Sequence, residues 1–427
     1  MISHIPGLRG RNATHCRKSG RLAAALAATI AVALLASCAT PPRPAPPSPP
    51  PPSVRTLTQA RYERVAPSPA AAVADVDLAA AWPALLASCR DFNRRGRTDW
   101  IRACADAAAA DDGASRRAVL ASSFDAYRIR SVTVEDGAGE PRVLDSADSG
   151  RITGYYEPQL NGSRTRTAPF TVPLYRPPSD LLTIDLASLH PELADLRLRG
   201  RLQQSASGAR VVPYWSRAEM TEERLRGAEL LWVDDALDAF FLQIQGSGRV
   251  RLPDGSVVRV GYADTNGHPY RAIGRVLVQR GELTLEDATM PGIAAWARAH
   301  PQRLAELLDQ NPSVVFFREL PLGDPKSGPV GALGLPLTPG YSVAVDRRFI
   351  PLGAPVLIRS EHPLTGAPFE RLVVAQDTGG AIRGPLRFDL FWGFGAEAAL
   401  PAGRQRHGVE AWLLVPRGLR PEALLAN

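Results

Sequence analysis

The spacing of hydrophobic positions changes several times along the 427 residues. Residues 22–36, LAAALAATIAVALLA, form an unbroken apolar run with basic residues before it and small ones after it. Its 15 residues fall short of the roughly 20 that a bilayer span needs. Over 78–86 and 116–124 apolar residues recur every three to four positions, which predicts helices. From Val132 the texture changes to short β-branched runs separated by Gly, Pro and Asp: ITGYYEP, FTVPLY, LLWVDDALDAFFLQIQGSG and SVVRVGY. These predict strands of a barrel or sandwich. Helical spacing returns over 270–279 and 291–310, where Thr284 and Asp287 predict a capping box. Strands are expected again at 342–345, 355–358 and 371–376. Strands and helices do not alternate regularly, which argues against a parallel α/β sheet.

The leader sets the compartment. A basic start, an apolar run and small residues make a secretory signal, expected over 1–37. It ends Leu35-Ala36-Ser37-Cys38, which resembles a bacterial lipobox with Cys38 as the lipidated residue. More than one acyl chain gives stable anchoring, and Ala39 next to the cysteine points to the outer membrane by known sorting rules. Nine prolines in the thirteen residues 41–53 predict an extended spacer, so 38–72 is expected to be a tether.

Net charge is +7, but Arg9, Arg11, Arg17, Lys18 and Arg21 supply five of those charges from the leader. The remaining +2 makes no electrostatic case for nucleic acid. Of four cysteines, Cys16 and Cys38 lie in the leader. Cys89 and Cys104 could pair in an oxidising compartment or stay as two buried thiols. Scattered histidines and no Cys-x-x-Cys leave a metal site without support. Gly393-Phe394-Gly395 approximates a dinucleotide fingerprint but lacks a surrounding βαβ unit, and Gly246-Ser247-Gly248 is no nucleophile elbow.

The informative stretch is 374–395, VAQDTGGAIRGPLRFDLFWGFG. An apolar strand leads into Asp377, and Gly379, Gly380 and Gly384 let the backbone bend. Asp389 follows among Phe388, Phe391, Trp392 and Phe394. A carboxyl among aromatic rings loses hydration and holds its proton, as a general acid for glycosidic cleavage must. A buried structural carboxylate is the plainer alternative.

This stretch resembles the three-aspartate domain of the membrane-bound lytic murein transglycosylase A family, with aspartates at Asp346, Asp377 and Asp389. TGYYEP at 153–158, QIQGSG at 243–248, Gly261-Tyr262, NGHPY at 266–270, RAIG at 271–274 and NPSVVFF at 311–317 follow in the family's order, so the resemblance runs over about 153–416. Ile152 stands where an aromatic is expected.

The resemblance implies a mainly β fold with N-terminal helices: a double-psi β-barrel domain over 73–160 and 318–427, an inserted second β-domain over 161–317, and a substrate groove between them. It implies an exolytic lytic transglycosylase acting on peptidoglycan glycan strands. The enzyme would cut the β-1,4 bond between N-acetylmuramic acid and N-acetylglucosamine and leave 1,6-anhydromuramic ends. Asp389 matches the acid/base and Asp377 a supporting carboxylate, while Asp346 suits a local salt link. Tyr155, Tyr156, Glu157, Gln245, Ser247, Tyr262 and Asn266 are expected in the groove, with core packing the alternative for the tyrosines. No cofactor or metal is required. The expected protein is a monomer, lipid-anchored on the periplasmic side of the outer membrane. The alternatives are a hydrolase of the same bond, with Asp377 activating water, and a non-catalytic peptidoglycan-binding lipoprotein.

Overall fold

The computed structural model describes residues 55–425, apart from 70–72, 137–140, 191–192, 194–195, 197, 207, 322 and 324–326. The expected signal, the lipidated Cys38 and the proline tract lie outside the described residues. The described chain is mainly β.

It opens with β1 (Arg55–Val65), then three helices, α1 (Asp75–Arg94), α2 (Ile101–Ala109) and α3 (Gly113–Ser122). Strands β2 (Phe124–Asp136), β3 (Arg142–Ala147) and β4 (Gly150–Glu157) follow. A long insertion then holds β5 (Gln159–Ser163), β6 (Val172–Tyr175), β7 (Leu182–Thr183), β8 (Arg199–Ser205), β9 (Gly208–Pro213) and β10 (Glu229–Val233). It continues through α4 (Ala236–Gln245), β11 (Ser247–Arg251), β12 (Val257–Thr265), α5 (Ile273–Gln279), α6 (Met290–Ala299), α7 (Leu304–Asp309) and β13 (Val315–Leu320). The last part carries β14 (Ser342–Ala344), β15 (Pro355–Glu361), β16 (Pro368–Asp377), β17 (Arg387–Phe394), α8 (Gly395–Arg404), β18 (Arg406–Pro416) and α9 (Pro421–Leu425).

Strands from both ends of the chain build one sheet. Its order runs β18-β15-β16-β14-β17-β4, and β4 pairs back with β18, so six strands close into a barrel. The β16–β14 and β17–β4 pairs are parallel and the other four antiparallel. A mixed six-stranded ring of this kind is consistent with the double-psi barrel implied by the motifs. Long β2 continues from β18 into a ribbon with β1 and β3. Helix α1 buries Leu78, Ala81, Trp82, Leu85, Cys89 and Phe92 at three-to-four spacing, in one core with the barrel's strands. Cys89 and Cys104 are joined by a disulfide that ties α1 to α2. The insertion forms a six-stranded sheet, β13-β12-β11-β5-β10-β6, and a small sheet of β7, β8 and β9.

Four expectations need correction. The tether does not extend to residue 72, because 55–65 is β1 and pairs with β2 along its whole length. Most of its side chains face water on both sides, so it lacks the apolar alternation that marks a half-buried strand. The chain leaves the barrel after Glu157 rather than at 160, since β5 already belongs to the inserted sheet. The run LLWVDDALDAFFLQIQGSG is strand only over β10, and α4 follows. That helix is apolar nearly all round because two cores share it: Leu237, Phe240 and Phe241 meet α5–α7, while Ala239 and Leu242 meet the inserted sheet. Asp235 caps it by accepting from the Leu237 and Asp238 N–H groups at 2.8 and 2.9 Å, and Gly246 ends it with φ of 79°. Finally, Thr284 and Asp287 bond each other in a turn, and α6 is capped by Thr289 instead.

Barrel and insertion meet at a buried ion cluster. Glu157, the last residue of β4, is fully buried. It accepts from Arg249 of β11 at 2.9 Å and from Arg259 of β12 at 2.7 and 2.9 Å. Both guanidinium groups also donate to the Ser327 carbonyl, at 3.0 and 2.5 Å, where the chain returns towards the barrel. Removing one member of a buried ion cluster strands the others without countercharge. Glu157→Gln is therefore expected to cost about 3–5 kcal/mol in urea unfolding. A loss below about 1 kcal/mol would show that the cluster carries no such weight.

Candidate active site

Both sequence-marked aspartates sit at the same level of the barrel wall. Ala344 on β14 is the register partner of Asp377 on β16 and also of Asp389 on β17. Asp389 is in turn the partner of Thr153 on β4. Neighbouring strands lie about 4.8 Å apart, so the two aspartate backbones stand roughly 10 Å from each other across Ala344.

Asp389 shares its strand face with Arg387 and Phe391, because side chains alternate along β17. Phe388 and Leu390 point the other way, into the main core, and Trp392 packs against that core too. The expected aromatic surround of Asp389 therefore reduces to Phe391, whose ring stands 5.3 Å from Tyr155. The Thr153 hydroxyl donates to Asp389 Oδ1 at 2.6 Å and accepts from Arg387 at 2.9 Å. Burial pushes the Asp389 carboxyl up to about 6, against the Thr153 hydrogen bond and the Arg387 charge, which pull it down. Asp377 adds a smaller upward push as a like charge. Burial also lowers the Arg387 guanidinium.

Asp377 is more tightly held. Its Oδ2 accepts from the Tyr155 hydroxyl at 2.7 Å and its Oδ1 from the Ala332 N–H at 2.9 Å. Burial raises its pKa, and these bonds, with the Thr378 N–H, oppose the rise. The preceding Gln376 is fully buried and fixes the strand end. It donates to Ala84 and Ser88 of α1 at 3.0 and 3.1 Å and accepts from Ser342 at 2.6 Å. The third aspartate, Asp346, forms a local ion pair with Arg348 at 2.7 Å and accepts from the Gly384 N–H at 2.8 Å. Burial alone would raise it, but these bonds hold it below the usual carboxylate range. Of the three glycines in the 379–384 turn, only Gly384 adopts positive φ, at 108°.

The expected groove residues divide. Tyr155 is buried and spends its hydroxyl on Asp377, and burial raises that hydroxyl well above its ordinary pKa. Glu157 is closed inside the ion cluster, so it is unavailable to a ligand. Asn266 is likewise a structural pin, 1 % exposed, bonding the Trp215 and Pro312 carbonyls and the Val314 N–H. Tyr156 and Gln245 are half-buried and meet where the Gln245 amide oxygen accepts from the Tyr156 N–H at 3.0 Å. Ser247 and Tyr262 lie on β11 and β12, where Ser247 pairs with Gly261 next to Tyr262. Thr153 and Arg387 were not singled out from the sequence, although two-residue spacing from Asp389 already places Arg387 on its face.

The architecture has close counterparts among known proteins. Residues 151–318 match the model of the MltA specific insert domain, and residues 341–415 that of the 3D domain. The membrane-bound lytic murein transglycosylase A of Escherichia coli (strain K12) is 36 % identical over 280 residues, covering 63 % of this chain and 67 % of the relative. The crystal structure of MltA from Neisseria gonorrhoeae in its monoclinic form is 35 % identical with a TM-score of 0.68, covering 86 % of this chain and 96 % of that one. The lytic transglycosylase LtgG of Burkholderia pseudomallei is 41 % identical with a TM-score of 0.56, covering 86 % and 98 %. E. coli MltA with bound chitohexaose is 28 % identical with a TM-score of 0.60, covering 83 % and 94 %. Fold and relatives together define a peptidoglycan lytic transglycosylase. The chain belongs to the membrane-bound lytic murein transglycosylase A family.

The raised Asp389 pKa has a consequence for stability. A carboxyl at 3.8 in the unfolded chain and about 6 in the fold favours the folded state fully below pH 3.8, and that contribution is lost as pH rises through 6. Asp389→Asn removes the penalty. Urea unfolding should show the variant more stable than the parent at pH 7.5 by up to about 3 kcal/mol, with the difference vanishing near pH 4. An equal difference at both pH values would contradict the shift.

Proposed function

We propose that Asp389 is the single acid/base of the transglycosylase, cutting the β-1,4 bond between N-acetylmuramic acid and N-acetylglucosamine. The observation that carries this reading is a carboxyl raised to about 6 that hydrogen-bonds one hydroxyl, on a barrel strand in register with the strand that carries Thr153 and, across Ala344, with the one that carries Asp377. Such a group is protonated in a useful fraction near neutral pH and able to take the proton back. The chitohexaose bound by the E. coli relative supports a groove for β-1,4-linked N-acetylhexosamine chains.

In this mechanism protonated Asp389 gives its proton to the leaving glycosidic oxygen while the C1–O4 bond breaks, leaving an oxocarbenium-like centre on the muramyl residue. The resulting carboxylate takes the proton of the muramyl C6 hydroxyl. That oxygen closes on C1 and forms the 1,6-anhydro ring. Proton and charge balance on one side chain, so no second carboxylate has to activate water. Asp377 supports this division of labour, since both of its oxygens already accept hydrogen bonds from the protein. Its place is to tune Asp389 and fix the barrel edge. Thr153 and Arg387 orient the acid. Tyr156, Gln245, Ser247 and Tyr262 are the remaining glycan-contact positions.

Asp389→Asn should cut turnover of purified murein by about 10⁴-fold or more, because one group serves both proton transfers. Asp377→Asn should cost less, and the parent's activity should decline as pH rises above about 6. Mass analysis of the products should find anhydro ends. Reducing ends, or a dead Asp377→Asn beside an active Asp389→Asn, would contradict the assignment.

The cellular placement we propose is the periplasmic side of the outer membrane, with Cys38 as the lipid anchor, 39–54 as the spacer and the protein acting as a monomer. Among the described residues no helix is long and apolar enough to cross a membrane. The relatives are named as membrane-bound. Cys38→Ser should move the protein from the membrane to the soluble fraction. If it still sediments fully with outer membranes, the anchor lies elsewhere.

A further inference from the structure

Two connected cavities adjoin the aspartate wall. The larger, about 480 Å³, opens between the end of α1, the Arg347–Arg348 turn and α9. The smaller, about 320 Å³, runs from that turn along the 378–380 loop, with Leu196 of the insertion on its rim. Both are lined by Ala332, Arg347, Arg348 and Leu352, so they form one cleft. The cleft shares a wall with the active site: the Ala332 N–H bonds Asp377, and Thr378 follows Asp377 directly.

Its lining is strongly cationic. Arg95, Arg97, Arg347, Arg348 and Arg383 all face it. The acids near it are already matched. Asp91 pairs with Arg94 and Arg95, Asp99 with Arg97, and Asp346 with Arg348. Arg347 and Arg383 are exposed and form no ion pair among the described residues; Arg383 only donates to the Gly380 carbonyl at 3.3 Å. Two uncompensated guanidinium groups in a concave site suit carboxylates, which the planar fork binds in two-point fashion.

We propose that this cleft receives the carboxylates of the stem peptide carried by the muramyl residue bound at Asp389. The proposal rests on the assignment of Asp389 above and names a further part of its substrate. The geometry allows it. Asp377, at the cleft's edge, lies about 10 Å from Asp389 by strand spacing, and a four-residue peptide extends about 13 Å. The glycan alone is uncharged apart from its lactyl groups, so a cationic cleft beside the site distinguishes peptide-bearing strands from stripped ones.

The test compares intact murein with glycan strands freed of peptide by amidase digestion. The readout is the ratio of kcat/KM for the two. Arg347→Ala and Arg383→Ala should each lower that ratio by about fivefold, the upper range for a solvent-exposed ion pair, with the double variant lower still. The effect should shrink in high salt. In parallel, the tetrapeptide L-alanyl-γ-D-glutamyl-diaminopimelyl-D-alanine is titrated into the full-length Asp389→Asn protein by calorimetry, with and without the two arginines. Binding that weakens by the same factor supports the cleft. An unchanged ratio, a parallel fall on both substrates, or equal tetrapeptide binding overturns it. Absence of turnover by the parent protein on either substrate would defeat the assignment of the acid/base instead, and the calorimetry would still decide the peptide cleft.

Discussion

The buried cluster of Glu157 with Arg249 and Arg259 is the constraint on which the rest depends. β4 is at once a wall of the barrel and the strand that leads into the insertion. Its final carboxylate is the point where the two β-structures are joined. Arg249 also lies over the Phe394 ring, 4.0 Å from its centroid, at the end of β17. One ion cluster therefore fixes the insertion against the strand that carries Asp389. Charges taken out of water are not a cheap source of stability, and an apolar pair would fold as well. What the cluster supplies is direction. Two guanidinium groups and one carboxylate, with Ser327 closing the set, hold the sheet on the barrel through directed hydrogen bonds.

With that frame set, the chemistry follows from strand register. Asp377, Ala344, Asp389 and Thr153 form a row across β16, β14, β17 and β4. The two carboxylates in the row have similar burial but different partners. Asp377 is bound by a tyrosine hydroxyl and a backbone N–H. Asp389 has one threonine hydroxyl, itself oriented by Arg387. Burial raises both carboxyls, and at Asp389, with a single hydroxyl and the Arg387 charge opposing it, a proton is retained up to about pH 6. The fold gives up stability at neutral pH to keep that proton, the usual trade at a catalytic site.

Much of this was legible in the sequence, and the gaps have physical causes. The late strands could be read because they are short apolar runs bounded by turn residues, and the aspartates and the TGYYEP strand because they carry the family's motifs. The mainly β class and the helical N-terminus followed from periodicity. The helix α4 was hidden because two cores consume opposite faces of it, which erases the polar stripe. The strand β1 was hidden for the opposite reason, since both its faces are wet. Glu157 and Asn266 looked like groove residues because they stand in the motifs TGYYEP and NGHPY. Each is instead satisfied inside the protein, by two arginines or by backbone groups, and spacing alone does not show partners 46 to 102 residues away. Phe388 and Trp392 seemed to surround Asp389 because they are neighbours in sequence, yet strand alternation turns Phe388 to the other side.

The central claim is that the fold keeps a proton on Asp389 and not through an aromatic cage but through burial with a single hydrogen-bond donor. The direct measurement is the carboxyl ¹³C titration of selectively labelled aspartate, assigned by comparison with Asp389→Asn and Asp377→Asn. The account predicts an Asp389 midpoint near 6. A midpoint near 4, the ordinary range for an aspartate, would contradict it.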